Sequence, residues 1–451
     1  MIFSSITFIY FFLPLLLLIY FIAPKKYKNH VLFIFSMLFY FYGEPKYIIV
    51  LLISCVVNYL CGKYMEKFIK YKKFFLWIAI SYNILQLMYF KYVDFFIENF
   101  NNIFNIDISL LHVIMPIGIS FFTFQTLSYV IDVYKGDVKA SNSFLNFSTY
   151  VSLFPQLVAG PIVRYKTIDD ELKSRKVTFE CFCLGIKLFI IGLSKKVLLA
   201  NILGEMGNSL GDIDKTFISS WLDAIGYTLQ IYFDFSGYSD MAIGLGLMFG
   251  FHFLKNFNYP LIANSITDFW RRWHMSLSSF FKDYVYIPLG GSKCSKFKFY
   301  RNIFIVWFLT GFWHGAAWNF ILWGLYFGVI LIIEKVFLGN FIRKSRVLKY
   351  FYTLFIVIVS FVIFKNDNMN ELFINLDNMF NASTFINKEV IYYLRSYILV
   401  LIIAIISATP ICKLVFRKYS FFEPVYYMFL LIVSTAYLID SSFNPFLYFR
   451  F

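Results

Sequence analysis

The chain has 451 residues, of which 60% are hydrophobic, 23% aromatic and 15% charged. A soluble domain carries about 25% charged residues, so this composition excludes an ordinary water-soluble globule and points to a membrane protein. The net charge of +15 would suit nucleic acid if the basic residues formed a patch, but they fall between apolar runs (Lys25, Lys26 and Lys28; Lys63, Lys67, Lys70, Lys72 and Lys73; Arg343, Lys344, Arg346 and Lys349), as cytoplasmic loops do, and nucleic acid is not expected as a partner. The six cysteines show no paired spacing, so neither a disulfide framework nor a zinc site is expected.

Residues 1–24 are uncharged and lack the basic start and small-residue cleavage site of a signal peptide, so they read as a retained first helix with its N-terminus outside. Runs 29–43 and 47–62, joined at Glu44 and Pro45 and flanked by lysines, read as a hairpin returning to the cytoplasm. Run 74–90 is expected to cross to an acidic loop (Asp94, Glu98, Asp107), and 108–131 to cross back. Further uncharged or nearly uncharged runs lie at 140–163, 178–199, 216–233, 241–254, 302–333, 350–364, 396–412 and 424–439. The expected fold is therefore all-α and polytopic, with roughly 10–12 transmembrane helices at about 20 residues per span. Pro155 and Pro161 break the run 140–163, and non-helical backbone at membrane depth is tolerated only around an internal cavity. The stretch 110–330 thus reads as re-entrant and interfacial helices around a central cavity within one membrane domain, 1–451.

Several polar residues stand where hydrocarbon penalises them. Asp234 and Asp240 are the only charges between Asp223 and Lys255; a carboxylate at the centre of a span costs about 2.5–3.5 kcal/mol, so each needs a partner, a neighbouring Lys or Arg, or a function. Gly246 and Gly250 have the small-xxx-small spacing of close helix packing. The segment Asp268-Phe269-Trp270-Arg271-Arg272-Trp273-His274-Met275-Ser276-Leu277-Ser278 is too charged to span; as one helix it would carry Trp270, Trp273 and His274 on one face, suiting an interfacial or re-entrant helix or an aromatic-belt anchor. His314 lies deep in the uncharged run, in Trp313-His314-Gly315-Ala316-Ala317-Trp318-Asn319. Imidazole is the side chain best matched to proton transfer near neutral pH, which favours a general base over a helix contact. His30, His112 and His252 lack such surroundings and read as structural. No HExxH, paired-cysteine or G-x-S-x-G pattern occurs near either histidine, so no metal is expected at the site.

The ordered series Met115-Pro116-Ile117-Gly118, Phe154-Pro155-Gln156-Leu157-Val158-Ala159-Gly160-Pro161, Phe233-Asp234-Phe235-Ser236-Gly237-Tyr238-Ser239-Asp240, the Asp268–Ser278 stretch and Trp313-His314-Gly315 resembles the membrane-bound O-acyltransferase family. Tyr286-Ile287-Pro288-Leu289-Gly290-Gly291 and the ending Asn444–Phe451 look like its alginate O-acetyltransferase branch. The resemblance implies a helical bundle with a funnel on each side of a thin floor, His314 as catalytic histidine and His274 as its second polar residue, with Trp313, Asp240, Asp234, Trp273 and Asn319 lining the substrate site. It implies no tightly bound cofactor. The expected donor is an acyl thioester, acetyl-CoA or an acyl carrier, and the expected acceptor an envelope polysaccharide or an exported acyltransferase partner, in a multi-pass protein of the cytoplasmic membrane. The alternatives are D-alanyl transfer to teichoic acids, or a transporter or flippase of lipid-linked solutes built on broken helices.

Overall fold

In a bilayer the backbone must bond to itself, so the apolar runs dense in Leu, Ile, Phe and Val have helix as their available structure. The computed structural model describes residues 1–158, 160–338, 345–418, 420–440, 443–445 and 447. All regular elements among them are helical. Five helices are long and apolar enough to cross a membrane: Ile48–Lys67, Ile69–Phe104, Trp318–Leu338, Val347–Lys365 and Lys388–Ser407. Exposed apolar side chains such as Leu399, Ile402, Ile403 and Ile405 cover the outer helices while Asn58, Asn83, Asp234 and His274 are buried, an arrangement that fits lipid and not water. This is a multi-pass membrane protein.

Packing divides the chain into two units, residues 1–189 with 239–254, and residues 190–238 with 255–451. In the first, Lys28–Gly43 and Ile48–Lys67 form the expected hairpin about Glu44 and Pro45. Its core is polar where helices meet. Asn83 donates to Asn58 Oδ1 at 2.7 Å, and Thr126 Oγ1 donates to Asn83 Oδ1 at 2.7 Å, so three helices satisfy one another's amides. Two expectations are corrected here. Residues 94–104 are not loop: the helix continues through a π-turn at Met88–Tyr92 to Phe104, and the Asp94 carboxylate accepts the Leu111 and Val113 amides at 2.7 and 2.9 Å. The run 108–131 is helical only from Ile119 to Lys135. Of the motif around Pro155, Ala159 lies outside the described residues.

The runs 216–233 and 241–254 are not separate either. Phe217–Met248 is one 32-residue helix that carries both Asp234 and Asp240. At about 100° per residue their six-residue spacing turns them about 120° apart. The close helix approach falls on Gly244, where a Cβ would meet the Gly185 carbonyl at 2.5 Å, and not on the Gly246–Gly250 pair: Gly250 ends the helix at φ +83°.

In the second unit the 302–333 run is a tight antiparallel hairpin, Lys296–His314 and Trp318–Ile333. Gly311 and Gly324 lie against each other where the legs meet, and a Cβ at Gly311 would strike the Phe320 carbonyl. His314 ends one leg and Asn319 begins the next, and both meet Phe364. Val347–Lys365 and Met369–Asn381 pack Val362, Leu372 and Met379 on Ala224. The Arg343 and Lys344 charges and the ending residues Phe446 and 448–451 lie outside the described residues.

Gly311→Ala is expected to lower stability by about 1–3 kcal/mol through overpacking. Gly211→Ala, where the added Cβ meets nothing, should be neutral or slightly stabilising. Thermal unfolding of the detergent-solubilised variants distinguishes the two.

Candidate active site

The stretch 265–281 is not one helix. Ser265 caps Ile266–Trp270 by accepting the Asp268 amide at 3.0 Å, the chain turns, and a second helix begins at Met275. His274 stands at the break with φ +42° and ψ +54°, in the left-handed region that non-glycine residues rarely adopt. Trp270, Trp273 and His274 therefore do not share a helical face, which corrects the single-helix expectation. A strained backbone persists only where its surroundings over-determine it, and two groups do so here. Glu334 is buried, and its carboxylate accepts the Ile266 and Thr267 amides at 2.7 and 3.2 Å and the Thr267 hydroxyl at 2.7 Å, fixing the start of the first helix. Asn256 fixes the break itself. Its carbonyl accepts the Met275 amide at 2.9 Å, and its side-chain Oδ1 accepts the Ser276 amide at 3.1 Å, the Ser276 hydroxyl at 2.9 Å and His274 Nδ1 at 3.3 Å.

This network assigns the tautomer of His274. A backbone N–H can only donate, so the Asn256 atom facing Ser276 is the oxygen, and Nδ1 of His274 must carry the proton it gives to that oxygen. Nε2 of the neutral ring is then the acceptor nitrogen.

Six of the seven candidate residues belong to the second unit, and Asp240 to the first. His274 is fully buried, with Phe235 edge-on to its ring at 4.7 Å and Trp313 at 6.0 Å. Trp313 in turn lies 5.0 Å from His314, whose other sides face Trp323 at 5.0 Å and Phe364 at 5.3 Å. The two histidines thus flank one indole inside an aromatic box. Trp273 packs outward on Phe257, Phe269 and Phe361 and holds the turn in place. Asn319 donates to the Phe364 carbonyl at 3.0 Å and to Asp367 at 3.3 Å, tying the hairpin tip to the next helix. Among the described residues, Asn319 Oδ1 and the indole N–H groups of Trp270 and Trp323 are buried without hydrogen-bond partners. Buried polar atoms are paired in most proteins, so such a set beside a histidine is where a polar substrate atom is expected.

Asp234 is engaged elsewhere. Its carboxylate meets Lys196 Nζ at 2.6 Å, both side chains being 2% exposed, and accepts the Leu447 amide at 3.0 Å. Lys196 also donates to Asn201 Oδ1 at 2.8 Å and to the Pro445 carbonyl, and Asn201 donates to Asn444 at 3.2 Å. Of the two origins that the sequence left open for this carboxylate, a lysine partner is the one observed, and that lysine comes from the π-helical Lys195–Asn201 and not from a loop. The pair secures the helix whose next residue, Phe235, abuts His274. Asn256, Lys196 and Glu334 were not singled out from sequence, and Phe235 entered only as part of the Phe233–Asp240 series; Glu334 is the first charge after the 302–333 run.

Comparison with known proteins identifies the family. Residues 138–366 match the family model described as MBOAT, membrane-bound O-acyltransferase family. The chain is 39% identical over 393 residues to a probable alginate O-acetylase of Pseudomonas aeruginosa, covering 85% of this chain and 76% of that protein. It belongs to the membrane-bound O-acyltransferase family. It is also 35% identical over 412 residues to a peptidoglycan O-acetyltransferase of Helicobacter pylori, covering 82% of this chain and 78% of the other. A teichoic acid D-alanyltransferase of Bacillus subtilis is 30% identical over 234 residues, covering 49% of this chain and 59% of that protein. This membrane-bound O-acyltransferase is accordingly an enzyme that moves acyl groups to oxygen.

Removing one partner of a buried ion pair leaves the other charge uncompensated. Lys196→Met is expected to lose about 3–5 kcal/mol, and the double variant Lys196→Met with Asp234→Leu to recover most of it. Thermal unfolding of the three purified proteins tests this ordering.

Proposed function

We propose that this acyltransferase takes an acetyl group from a thioester donor and places it on hydroxyls of a cell-envelope polysaccharide, or on an exported partner protein that passes it there, while embedded in the cytoplasmic membrane. The observation that carries the reading is the His274–Trp313–His314 cluster, two imidazoles about a single indole within a group of aromatic rings. His314 takes the proton of the acceptor hydroxyl as its oxygen attacks the thioester carbonyl. The tetrahedral intermediate then expels the donor thiolate by breaking the C–S bond, and the proton on His314 passes to that sulfur. His274, with its proton given to Asn256, offers Nε2 as an acceptor to a neighbouring, non-reacting hydroxyl of the acceptor. This favours orientation of the acceptor over donation to an oxyanion, since an oxyanion needs a donor. Trp313 and Asn319 border the reacting groups. Asp234 and Trp273 act on the site by holding the elements that carry Phe235 and His274, and Asp240 is proposed as a substrate-binding residue.

Acetyl is favoured over D-alanyl because both acetylating relatives match more than 80% of the chain, whereas the D-alanylating one matches about half. Phosphopantetheine donors, free or carrier-borne, fit the basic loops between the apolar runs.

Membrane vesicles given labelled acetyl thioester, D-alanyl carrier thioester and candidate glycans test the proposal. The wild type should acetylate glycan, and His314→Ala should lose about 10²–10⁴-fold in rate. D-alanyl transfer in place of acetyl would overturn the donor assignment alone. Full activity in folded His314→Ala would overturn the mechanism. Asn256→Ala, which frees the His274 ring to change tautomer, should lower kcat by about 10–100-fold with donor KM unchanged, as loss of a group that orients a functional histidine does.

A further inference from the structure

The first unit holds a second constellation that the mechanism above does not use. Glu171 lies in the short charged helix Tyr165–Lys173, Cys181 lies in the first turn of Phe179–Ser194, and His252 lies in the chain after the long helix Phe217–Met248. The imidazole Nδ1 is 2.6 Å from Glu171 Oε1, and the His252 amide donates to Oε2 of the same carboxylate at 3.1 Å. A carboxylate only accepts, so Nδ1 carries the proton, and Nε2 faces Cys181 Sγ at 3.9 Å as an acceptor. The order carboxylate, imidazole, thiol is that of an activated nucleophile, with the base oriented by a third group. The Cys181 amide donates to Thr178 Oγ1 at 3.2 Å, which caps the helix start where a thiolate is stabilised.

The set is accessible and outside the hydrocarbon. Nine of the 17 residues from Arg164 to Glu180 are charged, too many for a membrane interior, and the His252 side chain is 58% exposed. The same segment is tied to the start of Lys28–Gly43: Asn29 donates to the Leu172 carbonyl at 2.8 Å, and Arg175 donates to Asn29 Oδ1 at 2.7 Å. Lys173, Arg175 and Lys176 precede Cys181 by no more than eight residues in the sequence, and Lys28 is the neighbour of Asn29. Cys181 and Glu171 raise the pKa of the imidazole between them.

We propose that Cys181, His252 and Glu171 form an acyl-loading site, at which the chain takes the acyl group of an anionic phosphopantetheine thioester onto its own sulfur. The inference rests on the thioester-donor reading above. His252 Nε2 removes the thiol proton, the Cys181 sulfur attacks the donor carbonyl, and the donor C–S bond breaks as the Cys181 thioester forms. The departing thiolate takes the proton from His252, so one thioester is exchanged for another and no further reactant is needed. The basic residues of this segment, Lys173, Arg175 and Lys176, attract the donor phosphates.

The test uses vesicles of the full chain with radiolabelled acetyl-CoA in one arm and an acetylated carrier protein in the other, reading both label on the chain and label on glycan. Label that neutral hydroxylamine removes, that Cys181→Ala abolishes and that Cys183→Ala and His314→Ala retain supports the site. The arm in which it appears names the donor. His252→Ala should slow loading by about 100-fold, and at pH 6.5 iodoacetamide should alkylate Cys181 about tenfold more slowly in that variant than in the wild type, since the thiolate is the reactive form. Glycan acetylation with no thiol-borne label, or label that persists in Cys181→Ala, overturns the inference and leaves the proposed function standing. Thiol-borne label without glycan acetylation sustains the inference and overturns the acceptor. Neither label from either donor overturns both.

Discussion

A polar atom at membrane depth has no water to fall back on, and the arrangement of this enzyme follows from where each such atom finds its partner. The Asn58–Asn83–Thr126 cluster joins three helices, Glu334 holds the start of Ile266–Trp270, and Lys196 meets Asp234. Around His274 the requirement is strongest. One carboxamide oxygen, that of Asn256, gathers the Ser276 amide, its hydroxyl and the imidazole proton. Without that acceptor the left-handed turn would bury three unmatched donors, each costing about 1–3 kcal/mol. The same oxygen decides which nitrogen of His274 carries the proton, so the fold of the turn and the tautomer of the ring are set by one atom.

Much of the fold was legible because hydrophobicity and charge alternate along the chain. The Lys-flanked hairpin about Glu44 and Pro45 came directly from that pattern, and the isolation of His314 among Gly, Trp and Ala marked it as unusual before any geometry was known. The pattern failed where a charge did not end a helix. Asp94 and Asp234 were both read as boundaries, yet each lies inside continuous helix because its carboxylate is satisfied by partners distant in sequence, at Leu111 and Val113 in one case and at Lys196 and Leu447 in the other. Periodicity cannot register such partners.

The site was legible as a set of residue types and not as a geometry. Trp270, Trp273 and His274 have helical spacing, but the backbone reverses hand at His274 and separates them, a conformation that no propensity of histidine foretells. The role of Asn256 was invisible for a related reason. It lies 18 residues before His274 in a segment with no periodic signal, and only the folded turn brings its oxygen to Nδ1. Glu171, Cys181 and His252 are farther apart still, and His252 read alone as a structural residue.

The clasp on the buried ion pair also bears on how the enzyme is made. Asp234 and Leu447 are 213 residues apart, and Lys196 and Pro445 are 249 apart. At translation rates on the order of 5–20 residues per second, Asp234 leaves the ribosome about 10–40 s before Leu447 is synthesised. Through that interval the nascent helix bundle carries a carboxylate with only its lysine, and the wall behind Phe235 is not yet locked. The helix behind His274 is thus held first by the ion pair alone and gains its bonds to Leu447 and Pro445 afterwards.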